Sequence, residues 1–468
     1  MNERAAGAPK KGRVDFLNGP PWKQILLFAL PLMLSSVLQQ MYNTVASIIV
    51  GKGVSHVALA AVGISGTYTR VLTSMFMGIA MGGNVLIAQY YGARDKEGLS
   101  KATHSAIFLS VSAGIVLSTI GIIMTPTFLR WAGTPDDVFP LAQTYMRIVF
   151  SGITFQMTYN MLASFLRGMG DSRTQLYVLM ITSVVNAALC WLFVIVFEMG
   201  VAGSGLANVI SQILSVVIIF FLLQKNDWTR ISLKKIRLHK LQTLDLLRIG
   251  VPTAVQQVIM SLTGTIVMGN ITPHGTAAIA GNSVGNTLDM YVGMPVSSLN
   301  MTVTPFAAQN IGGNRMDRVR LAAKQVVAMN LGISIVFVST ILIFSRTFLG
   351  IFTDDAATIA AGIIMVRIVT PTHLMGAIAQ PLSGVIRGSG EPMVPAINAL
   401  ITSVIVRIPL IYLLNPIFDS VQAVYFSLVG STFVGLVYIL IVYFRGKWAE
   451  KAMNRSKTLA EQAERENK

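Results

Sequence analysis

Asp289 is the one Asp, Glu, Lys or Arg between Arg248 and Arg315. It stands in "NTLDMYVGMP", within a stretch otherwise suited to hydrocarbon. A charge near mid-bilayer costs roughly 3 kcal/mol or more, so one that is kept is paired, faces water, or takes up and releases an ion. Three further ionisable groups stand at depth: Arg70 in "GTYTRVLTSM", His373 in "VTPTHLMGA" and Arg407 in "SVIVRIPLIY". A cation beside Asp289 favours its carboxylate, and loss of that cation favours proton uptake. Arg70 is a candidate cation across a cleft, and Arg407 one within the same half. His373 is the obvious membrane residue whose ordinary pKa is near neutrality, which suits it to pass a proton to Asp289. Asp289, Arg70, His373 and Arg407 are the expected ion-coupling or gating group.

A second group is neutral. Gln39, Tyr42 and Asn43 fall in one apolar segment, Gln156 and Tyr159 in another, and Asn186, Asn208, Gln256, Asn282 and Asn286 in others. Amides in hydrocarbon need partners, in a neighbouring helix or in a wet cavity. Together they are expected to line a substrate cavity in which a cation is oriented without being held too tightly. Met290 joins them, because flexible thioethers suit surfaces that accept many shapes. No phosphate-binding Gly-Lys motif, nucleophile constellation or metal-ligand spacing is present; Cys190 stands alone and five His are scattered. The expectation is no enzyme, no metal site and no cofactor, with a proton or sodium ion as the coupling species.

These residues need long apolar elements to carry them. The chain of 468 residues is 53% hydrophobic and 12% charged, and apolar runs of about 20 residues recur along it, the pattern of a polytopic helical membrane protein. Twelve spans are expected, at 24–50, 57–88, 102–124, 139–163, 174–197, 201–224, 246–269, 277–306, 320–344, 357–385, 393–414 and 421–444. On that scale Asp289 lies about 18 Å into its helix. Alternate loops gather the basic residues, among them Lys10, Lys11, Arg94, Lys96, Arg167, Lys234, Lys235, Arg315, Arg318 and Arg387. The other loops hold little beyond Lys52, Arg130 and Arg346, and are partly acidic, with Asp354, Asp355 and Asp419. The positive-inside rule then puts both termini in the cytoplasm. The net charge of +16 is thus topological, and the expected partners are the bilayer and a small molecule, not nucleic acid. The N-terminal stretch lacks a signal-peptide core, so the first apolar segment is read as an uncleaved anchor in a monomeric protein of the bacterial inner membrane.

The chain repeats itself. "AQYYGARDKEGLSKA" from Ala88 is answered by "AQNIGGNRMDRVRLA" from Ala308 (308 − 88 = 220), "RGMGD" at Arg167 by "RGSGE" at Arg387, and "ITSV" at Ile181 by "ITSV" at Ile401. One register across polar and apolar segments alike marks a duplication. Each half carries six spans, so the halves share orientation and a pseudo-two-fold along the membrane normal is expected, with the substrate path between them. The expected order is a cytoplasmic tail (1–23), a six-helix lobe (24–224), a cytoplasmic linker (225–245), a second lobe (246–445) and a cytoplasmic tail (446–468). Pro31 and Pro252 are repeat-equivalent, and Pro295 and Pro305 are expected to interrupt the eighth helix.

"ALPLMLSSVLQQMYNTVASIIVGKGVSHVALAAVG", "AQYYGARD", "FLRGMGDSR", "VAGSGLANVISQ" and "AQNIGGNRMDRVR" together resemble the multidrug and toxic compound extrusion family over nearly the whole chain. The resemblance implies two six-helix bundles around a central cleft, and efflux of organic, often cationic, compounds driven by inward proton or sodium flow. Where the family often carries an acid in its first helix this chain has Ala46, and where a second acid falls in the fifth helix it has Cys190. A seventh-helix glutamate found in another group is replaced by Gln256 and Gln257. A related flippase, with Arg70, Arg147, Arg367 and Arg407 on a lipid phosphate, and a non-transporting sensor are the other readings.

Overall fold

The computed structural model describes residues 13–225, 228, 230–418 and 420–466. Lys10, Lys11 and Asp419 lie outside the described residues, as do the side chains of Asn43 and Lys52. No strand occurs among the described residues. The long helices are α1 (Pro21–Gly53), α2 (His56–Gly92), α3 (Lys96–Trp131), α4 (Phe139–Gly168), α5 (Ser172–Val196) and α6 (Gly200–Gln224). They continue with α7 (Lys240–Ile271), α8 (Thr276–Gly312), α9 (Met316–Gly350), α10 in two pieces (Ala356–Val369 and Thr372–Gly388), α11 (Met393–Phe418) and α12 (Gln422–Arg445). Each expected span therefore has its helix. Among the described residues nine are long and apolar enough to cross a membrane, and ten with the bent α10. The other two, α4 and α8, are as long but carry more polar residues, Asp289 among them. The starts follow from short polar residues: Asp95, Asp171 and Asp355 each accept the backbone N–H three residues on, at 2.7, 2.9 and 2.8 Å.

Two compact units result, one of Leu30–Gly250 and the other of Phe16–Ala29 with Val251–Glu461. Both crossings fall inside a helix, just before Pro31 in α1 and just before Pro252 in α7. A proline leaves its turn one backbone bond short, which loosens the helix where the chain passes from one unit to the other.

The duplication is visible inside each unit. Asn84 Nδ2 donates to the Ser164 carbonyl at 2.9 Å, and at the equivalent position Thr304 Oγ1 donates to the Gly384 carbonyl at 3.3 Å. A side chain on Gly168 would come within 2.9 Å of the Asn84 carbonyl, and one on Gly388 within 2.7 Å of the Thr304 carbonyl. The turns after α2 and α8 place Arg94 (φ 59°) and Asn314 (φ 55°) in the same left-handed conformation.

In the first unit α2 and the start of α7 touch backbone to backbone. A Cβ on Gly82 would lie 2.7 Å from both the Gly250 nitrogen and the Leu246 carbonyl oxygen. Small residues let membrane helices approach this closely. Gly82→Leu is expected to force these helices apart and destabilise the protein by about 3 kcal/mol. Gly269→Leu, placed on α7 where no atom lies within 4 Å, serves as the neutral control. Thermal unfolding in detergent compares the two.

In the second unit the segment before α1 is strapped down. Arg318 donates to the Phe16 carbonyl (3.0 Å), the Gly19 carbonyl (2.9 Å), Gln24 Oε1 (3.0 Å) and Asn310 Oδ1 (2.9 Å). Phe16 is fully buried, with ring centroids of Phe28 and Phe306 at 5.1 and 5.3 Å.

Three features depart from the expectations. The span at 357–385 is broken, its pieces bent by 44° at Pro371. By contrast α8 runs unbroken through Pro295 and Pro305, where interruptions are expected. Part of the C-terminal tail is an amphipathic helix, α13 (Lys447–Glu466), which buries Trp448, Ala452 and Leu459 at helical spacing.

Candidate functional site

Asp289 projects from α8 toward the break in α10. Its Oδ1 accepts from His373 Nε2 at 2.9 Å and from Thr370 Oγ1 at 3.2 Å. Thr370 closes the first piece of α10, and His373 lies in the first turn of the second, which opens at Thr372. Between them Pro371 lacks the N–H that would continue the helical ladder, so the chain turns. The His373 and Leu374 amides bond back to the Thr370 and Pro371 carbonyls, both at 3.1 Å. One carboxylate oxygen thus pins both sides of a helix break.

The imidazole lies against Gly293, one turn beyond Asp289, where a Cβ would be 3.4 Å from His373 Cε1. Both partners are half-buried, His373 keeping 21% and Asp289 22% of its side-chain surface. The burial strengthens the pair over a fully solvated one. Toward an ionised Asp289, Nε2 acts as donor in either the Nε2–H tautomer or the imidazolium, and only the imidazolium can hand its proton to the carboxylate, since the neutral ring would be left as an imidazolate.

The site belongs to one repeat only. Thr69 stands where the repeat would place Asp289, and its hydroxyl bonds its own helix at the Ser65 carbonyl, 3.0 Å away. Ser151 stands where Pro371 would be, and α4 is continuous. There α2 and α4 are tied by a neutral bond, Thr73 Oγ1 to Gln156 Oε1 at 3.4 Å.

The other charged candidates lie elsewhere. Arg407 falls in a widened π-helical stretch of α11 and donates through Nε to Ser431 Oγ on α12 at 3.1 Å. Among the described residues no ion pair joins it to Asp289. Arg70 is exposed on α2 in the first unit.

Five of the neutral candidates, Tyr42, Gln156, Asn208, Gln256 and Asn282, are engaged between helices. Asn208 Nδ2 donates to the Tyr42 hydroxyl at 3.0 Å, linking α6 to α1. Arg387 Nη2 donates to Gln256 Oε1 at 3.0 Å, and the Tyr425 hydroxyl donates to Asn282 Oδ1 at 3.4 Å. Asn186 and Tyr159 are buried; Gln39, Asn286 and Met290 are exposed. The Asn43 side chain is outside the described residues.

Thr370 is the partner that sequence reasoning missed, although its position beside Pro371 in "VTPTH" was a signal. A further polar chain also escaped notice. Asn330 donates to Asn300, and Asn300 to Gln380, both at 2.9 Å, joining α9, α8 and the second piece of α10.

The MatE family model matches residues 31–192 and again 252–413, once in each repeat. The chain is 30% identical over 443 residues to the "Probable multidrug resistance protein YoeA" of Bacillus subtilis, covering 93% of this chain and 96% of that one. It is 23% identical over 424 residues to the "Multidrug export protein MepA" of Staphylococcus saprophyticus, covering 90% and 93%. Its fold matches the crystal structure of a MATE protein in complex with MaL6 at a TM-score of 0.87, with 21% identity over 95% of this chain and 99% of that one.

Proposed function

Because the chain belongs to the MatE family, whose members are membrane transport proteins and not enzymes, we propose that it exports organic cationic or amphipathic compounds across the bacterial plasma membrane, coupled to inward proton flow at Asp289. Multidrug resistance is what the name of one relative says of it, and multidrug export what the name of the other says. The coupling assignment rests on one observation: the Asp289–His373 contact of 2.9 Å across the α10 break.

The mechanism follows from hydrogen-bond chemistry. Ionised Asp289 attracts both the Thr370 hydroxyl and the His373 N–H, and bonds to a charged acceptor are roughly twice as strong as neutral ones. A proton arriving from outside neutralises the carboxylate and weakens both bonds at once. The two pieces of α10 are then free to change their bend, and alternating access proceeds with the proton bound. Release of the proton to the cytoplasm restores the pin. A ligand drives this cycle only through its different affinity for the two states, and the proton does so through the pinned and unpinned carboxylate.

Dye efflux from proteoliposomes under separately imposed proton and sodium gradients tests this. Efflux driven by the proton gradient alone is expected; full efflux with sodium alone, unmoved by a proton gradient, contradicts the proposal. His373→Gln keeps an N–H near Asp289 but cannot titrate, and is expected to lower proton-driven efflux roughly threefold to tenfold and flatten its pH profile.

A further inference from the structure

Residues 230–239 of the segment between the repeats are anchored on the first unit. Ser232 N–H donates to His104 Nε2 at 3.0 Å, and the other ring nitrogen of His104 lies 2.7 Å from the Ser100 carbonyl. That pair of contacts fits a ring with its proton on Nδ1. Ser105 Oγ accepts from His239 N–H at 3.0 Å and lies 3.4 Å from the Arg237 carbonyl. A short 3-10 turn, Leu233–Lys235, sits between these anchors. The segment is therefore seated on α3, and with the α2–α3 turn it walls a cavity of about 660 Å³.

The lining is strongly basic. Arg94, Lys96 and Lys101 come from the turn and α3, and Lys234, Lys235 and Arg237 from the segment. Only two carboxylates share the cavity, and both are occupied. Asp95 caps the Gly98 amide at 2.7 Å, and Glu97 pairs with Lys101 at 2.6 Å. Among the described residues, Arg94, Lys96, Lys234, Lys235 and Arg237 have no carboxylate within ion-pair distance. The field is felt locally: burial, then Arg237, Lys101 and His104, push the His239 imidazole below its ordinary range.

Topology requires basic residues in such loops but does not require them to converge. Holding five uncompensated cations round one cavity by an ordered segment is self-repulsive, and an anion in the cavity relieves it. The volume is that of a small-molecule site. Cationic clusters directly beside membrane helices meet phosphate-bearing headgroups.

We propose that this cavity is a binding site for a phosphate-bearing anion, met in the membrane as the headgroup of an anionic phospholipid. The fork of Arg94 and Arg237 takes phosphate oxygens in pairs, and Lys96, Lys234 and Lys235 add point charges. The site is separate from the Asp289 pair and does not depend on the export reading.

The full chain in nanodiscs of zwitterionic lipid is titrated with fluorescent phosphatidylglycerol. Lys234→Gln/Lys235→Gln/Arg237→Gln is compared with a charge-matched control elsewhere, Arg315→Gln/Arg320→Gln/Lys324→Gln. The first triple variant is expected to weaken binding roughly a hundredfold, and the control less than about threefold. Soluble pyrophosphate separates the sources. If it fails to displace the lipid, the ligand is the lipid headgroup. If it displaces the lipid and binds the wild type but not the first variant, the ligand is a soluble phosphate compound. Equal losses in both triple variants, or no loss in the first, overturn the proposal. Thermal unfolding of each variant verifies that the fold is kept.

Discussion

Asp289→Asn is expected to cut proton-driven efflux roughly tenfold to a hundredfold while leaving the protein folded. The substitution keeps the size and an acceptor oxygen, so His373 and Thr370 can still reach it. What it removes is the charge that makes those two bonds strong, and with it the capacity to take up a proton. The variant therefore mimics the protonated carboxyl permanently. Downhill movement of substrate is expected to survive better than uphill efflux, because the coupling is lost and not the path. Proteoliposomes loaded with a fluorescent cation, with and without an imposed proton gradient, measure both. Wild-type uphill efflux in Asp289→Asn contradicts the assignment.

The second large effect concerns Arg318. Arg318→Met keeps length and apolar contact but removes the bonds to the Phe16 and Gly19 carbonyls, Gln24 and Asn310, while Asn310 Nδ2 still donates to the Phe16 carbonyl at 3.0 Å. Each buried acceptor left unsatisfied costs about 1–3 kcal/mol, so a loss of about 2 kcal/mol or more is expected. The loss falls first on the strap, where hydrogen exchange at residues 16–24 is expected to speed up before the helices loosen. Arg318→Lys is expected to recover only part of it, since an ammonium cannot match the planar fork. Unchanged exchange at 16–24 in Arg318→Met shows that the strap is held by other contacts, chiefly the burial of Phe16.

Much of this was legible in the chain itself. Ten of the twelve spans follow from apolar length, and the duplication from a constant register that the turn geometry of Arg94 and Asn314 repeats. Asp289 stood out because nothing else charged surrounds it. The break in α10 was not legible, because a proline does not by itself decide between a kink and an interruption. Pro295 and Pro305 sit within a continuous α8, whereas at Pro371 the flanking Thr370 and His373 have a carboxylate to bind once the helix opens. That partner is 81 positions away from Thr370, beyond the reach of local pattern. Arg318 stands among the loop charges that set topology, and its burial with the stretch before α1 is not visible in the sequence. Nothing in the sequence of the linker at 225–245 says that His104 and Ser105 hold it.

The proposed mechanism requires one carboxylate to lock the two pieces of α10 when ionised and to free them when protonated. Hydrogen exchange at the amides of residues 370 and 372–374, compared at one pH between the wild type and Asp289→Asn, tests it most directly. Wild-type protection is expected to exceed that of Asp289→Asn. Equal protection in the two would contradict it.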